Sequence, residues 1–180
     1  MFLATAMLLL AYAPANADQT DPKLDKLFAA LQTSLSNASA ASIEREIWAI
    51  WTRYPDDQAI NHQMDRAIKM MNVGRLDDAE AMFSAIISRE PAFAEAWNKR
   101  ATVRFFRGDG AGSANDILQV IKLEPRHFGA LSGLGMIKVR AGDLQGALQA
   151  YRAAQRINPF LPNIKMIIDK LGQKLNGRGI

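Results

Sequence analysis

The sequence has no cysteine. That excludes disulfide frameworks, thiolate zinc sites and cysteine nucleophiles, and it leaves no residue for lipid attachment of the bacterial lipoprotein kind. Histidine is almost as scarce. His62 and His127 stand far apart, each with one acidic neighbour, Asp65 and Glu124, and two candidate ligands do not make a metal site. No block of like charge exists either: 22 Lys and Arg against 18 Asp and Glu give a net charge of +4. The cations are scattered apart from Lys165, Lys170, Lys174 and Arg178 near the end, a pattern of solvated surface rather than of a nucleic-acid footprint. Glycine-rich phosphate loops are missing as well. The stretch GDGAGS at 108–113 follows no strand pattern and precedes no Gly-Lys-Ser/Thr, so it lacks the context that a phosphate cradle needs. Asp56-Asp57 and Asp77-Asp78 sit where helices begin, and carboxylates there complement the positive helix end. No catalytic constellation emerges, so neither an enzyme nor a cofactor is expected.

Apolar residues make up 49% of the chain and charged ones 22%, which excludes disorder as the default state. The long apolar runs are confined to one place. Phe2 to Ala13 carries no charge; it has the length of a signal-peptide core and falls short of the ~20 residues that span a bilayer. Ala15-Asn16-Ala17 follows as a small-x-small cleavage signal. Residues 1–17 are therefore expected to be a signal peptide cut before Asp18, with a periplasmic or secreted product and no stable membrane insertion afterwards. No Lys or Arg precedes the apolar core, which fits a start upstream of Met1 or an atypical signal.

What the sequence does have is a period. Pro91, Pro125 and Pro159 are evenly spaced, as are Gly74, Gly108 and Gly142. Small residues recur at the same interval (Ala67, Ala101, Gly135; Ala79, Ser113, Ala147), and so do large ones (Phe83, Ile117, Tyr151). Each unit reads as two helices, expected over 62–73 and 77–89, 95–107 and 111–123, and 129–141 and 145–157. Glycine follows the first helix, where a left-handed cap penalises other residues. Proline follows the second, which it cannot continue. The small residues fall where two antiparallel helices cross closely. Gly108, Gly110 and Gly112 crowd the start of one second helix, and at ~1 kcal/mol per interior glycine that helix is expected to start late and fray.

With Trp97, Ala101, Gly108 and Pro125 in register, residues 60–93, 94–127 and 128–161 resemble three consecutive repeats of the tetratricopeptide repeat (TPR) family. The resemblance implies an all-α, right-handed α-solenoid of helix hairpins, in which Trp97 is a packing residue. Residues 22–54 read as a degenerate N-terminal helix pair. Leu24, Leu27, Phe28, Leu31 and Leu35 lie on one stripe and Ile43, Ile47, Ile50, Trp51 and Tyr54 on another, with Ser42 as the expected N-cap. Residues 162–175 read as a capping helix for the last repeat. The family's concave groove, carried over residue by residue, would be lined by Met64, Ile68, Met71, Asn98, Thr102, Phe105, Phe106, Met136 and Arg140. The family's clamp of lysine, asparagine and arginine for a terminal carboxylate is absent from these columns. The implied partner is instead a protein or peptide segment held by an apolar, adaptable floor, not nucleic acid. The alternative is a self-associating, homo-oligomeric scaffold.

Overall fold

A computed structural model describes residues 18–177 of the chain; the expected signal peptide lies outside the described residues. After a short turn at Asp18–Thr20 come α1 (Lys23–Gln32), α2 (Asn37–Trp51), α3 (Gln58–Asn72), α4 (Leu76–Arg89), α5 (Ala94–Phe106), α6 (Gly110–Leu123), α7 (Phe128–Arg140), α8 (Leu144–Ile157) and α9 (Ile164–Leu175). No strand occurs among the described residues. Helices α3 to α9 stack in chain order as a right-handed solenoid, each hairpin packing on the next and α9 covering α8.

The periodic residues hold this stack together at definite points. Gly74, Gly108 and Gly142 have φ of +78°, +86° and +78°, the left-handed conformation that ends a helix without a Cβ penalty. Behind each, the next residue's N–H returns to a carbonyl of the last turn: Arg75 to Met70, Asp109 to Arg104 and Asp143 to Lys138, each at 2.9 Å. The small-residue columns allow close helix crossing. A Cβ at Gly135 would stand 2.7 Å from the Tyr151 ring, while Ala67 and Phe83 are both fully buried in the first repeat.

Three expectations are corrected. Helix α6 begins at Gly110 rather than late, because the Asp109 carboxylate accepts the Gly112 N–H at 2.8 Å; a cap of this kind is worth ~1 kcal/mol and offsets a helical glycine. Helix α2 begins at Asn37, capped by Ser36 instead of Ser42. Leu35 then falls in the loop between α1 and α2, fully exposed, since α1 has already ended at Gln32.

The N-terminal pair does not continue the stack. Leu24, Phe28, Leu31, Ile47 and Trp51 form a core with Phe128, against which Ile157, Phe160 and Leu161 pack. The pair therefore lies along the row of loops between repeats. Gln19 donates to the Ala92 carbonyl (2.6 Å), Arg126 meets Asp25 (2.6 Å), Gln32 reaches the Ile157 carbonyl (2.6 Å) and Asn158 donates to Glu44 (3.0 Å). Its aromatic residues add to the contact made by its leucines: Trp51 stacks flat on His127 with ring centres 4.1 Å apart.

Candidate functional site

The first helices of the three repeats, α3, α5 and α7, form the concave face. Its two ends differ. At the loop end, the N-terminal pair covers it. Trp48 lies so close over α7 that a Cβ at Gly129 would be 2.6 Å from its ring, and Lys99 Nζ sits 5.3 Å from the centre of that ring. Beneath the tryptophans is a buried polar cluster. Glu95, Asn98 and His127 have almost no exposed surface. His127 Nδ1 accepts the Ala130 N–H (3.0 Å), so Nε2 carries the proton and donates to Glu95 at 2.8 Å. Asn98 donates to the same carboxylate, and Lys99 pairs with it at 3.0 Å. Burial opposes the charge on Glu95, but Lys99 and His127 outweigh it and hold the carboxyl below its ordinary range. Among the described residues, Trp51 Nε1 is buried without an acceptor.

At the other end, near the glycine turns, the face is open. Phe106 is 64% exposed, Met136 47% and Val139 42%. Phe105 and Thr102 are half-buried and line a cavity of about 170 Å³ with Phe106, Gly133, Met136 and Ile137. The Arg140 guanidinium lies over the Phe105 ring, 5.2 Å from its centre, and donates to the Phe105 carbonyl at 3.1 Å. Among the described residues, no carboxylate pairs with Arg140.

Set against the sequence expectations, Thr102, Phe105, Phe106, Met136 and Arg140 come together at this open end. Ile68 and Met71 are half-buried on α3 against the first-repeat core. Met64 does not line the groove. It is fully buried in a core with Tyr54, Phe83 and Phe93, because Tyr54, arriving from the N-terminal pair, joins that core. Asn98 donates to Glu95 and is only 7% exposed, yet it borders the same cavity as Thr102, Phe105 and Met136. His127 pairs with Glu95 rather than with nearby Glu124, which instead binds Arg126. His62 is exposed. Trp97 packs as expected, half-buried, with Nε1 donating to the Pro91 carbonyl at 2.9 Å. Among the described residues, no three groups gather to hold a metal, and no helix is long and apolar enough to cross a membrane.

A feature missed in the sequence lies in the seams between repeats. Where the first repeat meets the second, Leu76 fills the start of α4. Beside it Glu80 takes Arg104 (2.8 Å) and Arg107, and Arg107 also reaches Asp77 (2.8 Å). Where the second meets the third, the corresponding residues of α6 are Gly110, Ala111 and Ala114. The seam there holds an open cleft of about 510 Å³, lined also by Phe105, Leu134, Ile137 and Arg140. A signal for this was present: the column reads Leu76, Gly110, Leu144.

Known proteins resemble this chain in sequence and in fold. The sequence model of the tetratricopeptide repeat matches residues 65–116 and 98–162. A TPR repeat-containing protein of Rhizobium etli is 35% identical over 155 residues, spanning 86% of this chain and 76% of that protein. The first TPR of Spaghetti (RPAP3), solved bound to the HSP90 peptide SRMEEVD, superposes with a TM-score of 0.64 at 19% identity, covering 67% of this chain and 96% of that one. MamA superposes with a TM-score of 0.62 at 16% identity, covering 78% and 79%. At such identities the likeness to the solved structures is one of fold.

Proposed function

The chain belongs to the tetratricopeptide repeat family, and from that premise we propose that it is a non-catalytic interaction module of the bacterial cell envelope that holds a segment of a partner protein in the open end of its concave face. The observation that carries this reading is the row of exposed apolar side chains, Phe106, Met136 and Val139, on the concave face; a structural neighbour of the same fold was solved bound to a peptide. Solvent contact of grouped apolar residues is costly enough that such patches mark interaction sites. Export is part of the reading and rests on the apolar run from Phe2 to Ala13 and the Ala15-Asn16-Ala17 signal. N-terminal sequencing of the protein recovered from cells should begin at Asp18; an intact Met1 would contradict export.

Groove binding is tested by site-specific photo-crosslinking inside cells. A crosslinker in place of Phe106 should give a discrete adduct that one in place of Leu118, exposed on α6, does not give. The same adducts from both positions would remove the groove from consideration.

Self-association is the second reading, and one observation favours it. With the N-terminal pair docked along the loops, the flank of the first repeat that faces away from the second borders a cleft of about 340 Å³ lined by Arg66, Met70, Arg75 and Met82. Repeat arrays normally cap such a flank. Light scattering across a concentration series checks this reading, and a monomer throughout would count against it.

A further inference from the structure

The cleft in the second seam follows from a single column. Leu76 and Leu144 occupy it in the first and third repeats and pack into the neighbouring cores, whereas Gly110 leaves it empty. Glycine is not needed there for its backbone: its φ is not in the left-handed range, and a Cβ would meet nothing within 4 Å. One more position deepens the gap, since Ala114 stands where Glu80 and Leu148 stand in the other repeats. The space thus lies where the other repeats carry an aliphatic side chain, and it is considerably larger than one such side chain. It shares Phe105 and Ile137 with the smaller cavity beside Phe106 and Met136, so the two form one continuous apolar surface.

The charges at its mouth are unequal. Lys138 is already matched by Asp143 at 2.7 Å, and the Asp143 carboxyl is held below its ordinary value by that lysine and by the Gly146 N–H. Among the described residues at this mouth, Arg140 is the cation without a carboxylate partner.

We propose that the cleft beside Gly110 receives one large apolar side chain, leucine, methionine or phenylalanine, of a partner protein segment that places a carboxylate next to it for Arg140. The inference rests on the groove-binding reading above and specifies its ligand. A protein segment suits the surface better than a lone small amphiphile. One side chain in the cleft would leave Phe106, Met136 and Val139 in water, whereas a continuing chain covers them. Specificity then comes from two sources: the cleft admits a side chain that the filled first seam rejects, and Arg140 selects the neighbouring charge.

The test is selection of a random displayed peptide library on the full-length protein, followed by affinity measurements on the enriched peptides. Wild type should enrich peptides with Leu, Met or Phe adjacent to Asp or Glu. Gly110→Leu, which restores the leucine of the other repeats, should weaken those peptides by about tenfold or more. Gly110→Ala, which adds a methyl in open space, should stay within about twofold and serves as the folding control. Arg140→Glu should turn the preference from acidic to basic neighbours. If Gly110→Leu binds as tightly as wild type while Phe106→Ser loses the peptides, the cleft proposal fails and the groove reading survives. If Phe106→Ser also binds unchanged, the groove reading falls and takes the proposal with it. Capture of a free fatty acid such as laurate in the cleft, with no peptide enriched, would overturn the proposal in favour of a small amphiphile.

Discussion

The seam between the first and second repeats and the seam between the second and third are built on the same columns, yet one is full and polar and the other hollow and apolar. In the first, Glu80 on α4 binds Arg104 and Arg107 on α5, Ser84 binds Arg100, and Asp116 on α6 ties Arg100 and Arg104 from behind at 2.8–3.1 Å. In the second, Lys138 and Ala141 replace the two outer arginines and Ala114 replaces the glutamate, so among the described residues no ion pair crosses the gap, and Arg140 reaches over it only to the Phe105 ring and carbonyl. The difference teaches that a repeat array can keep its period and still specialise one joint. The columns that set helix crossing stay small or large as required, while those at the seam edge are free to vary. A module with one filled joint and one open joint keeps its free apolar surface at the open one.

The largest expected effect comes from breaking the full seam. Asp116→Ala should destabilise the protein by about 3 kcal/mol, since it strands the charge of Arg100, which has little solvent around it, and leaves Arg104 with Glu80 alone; urea unfolding measures it. Hollowing the other joints to match the second is next. Leu76→Ala or Leu144→Ala should each cost about 2 kcal/mol, the low end for leucine truncation because both side chains are half-buried. Filling the hollow seam runs the opposite way: Gly110→Leu should raise stability by about 1 kcal/mol, from helix propensity and new burial. A loss instead would mean that the cleft cannot accept the side chain that its neighbours carry.

The smallest effect is in pH. Burial opposes ionisation of Glu80, but Arg104 and Arg107 outweigh it and hold its carboxyl below the ordinary 4.5. A carboxyl lowered on folding adds stability that is present above pH 4.5 and fades as pH falls through the folded value. The melting temperature of wild type should therefore drop more steeply below pH 4.5 than that of Glu80→Gln. Parallel curves would show that the ion pairs of the full seam contribute little.

The stack was legible because it is written locally and repeated. A glycine that must turn left-handed, a proline that stops a helix and an alanine at a crossing each act within a few residues, and three copies average out the exceptions. The N-terminal pair was not legible in the same way. Its helical stripes predict two helices, but its seat depends on Trp51 over His127, Asp25 with Arg126 and Glu44 with Asn158, contacts between segments that share no period. The candidate site fails and succeeds on the same line. Phe106 and Met136 face outward as their columns imply. Met64 does not, because Tyr54, brought in from elsewhere, joins the core around it, and Asn98, held by Glu95 on the same helix, reaches only the wall of the cavity. The cleft at Gly110 stood in the open in the Leu76, Gly110, Leu144 column and needed only the question of which joint had lost its leucine.

The central claim is that the open end of the concave face, and not another surface, meets the partner. Methionine methyl resonances test it most directly, because methionines mark each competing surface: Met136 at the open end, Met70 and Met82 on the uncovered first flank, Met166 on α9 and Met64 in the core. On addition of a selected peptide to methyl-labelled protein, the Met136 signal should shift, with Met70, Met82, Met166 and Met64 unmoved. Shifts at Met70 and Met82 with Met136 unchanged would contradict the account.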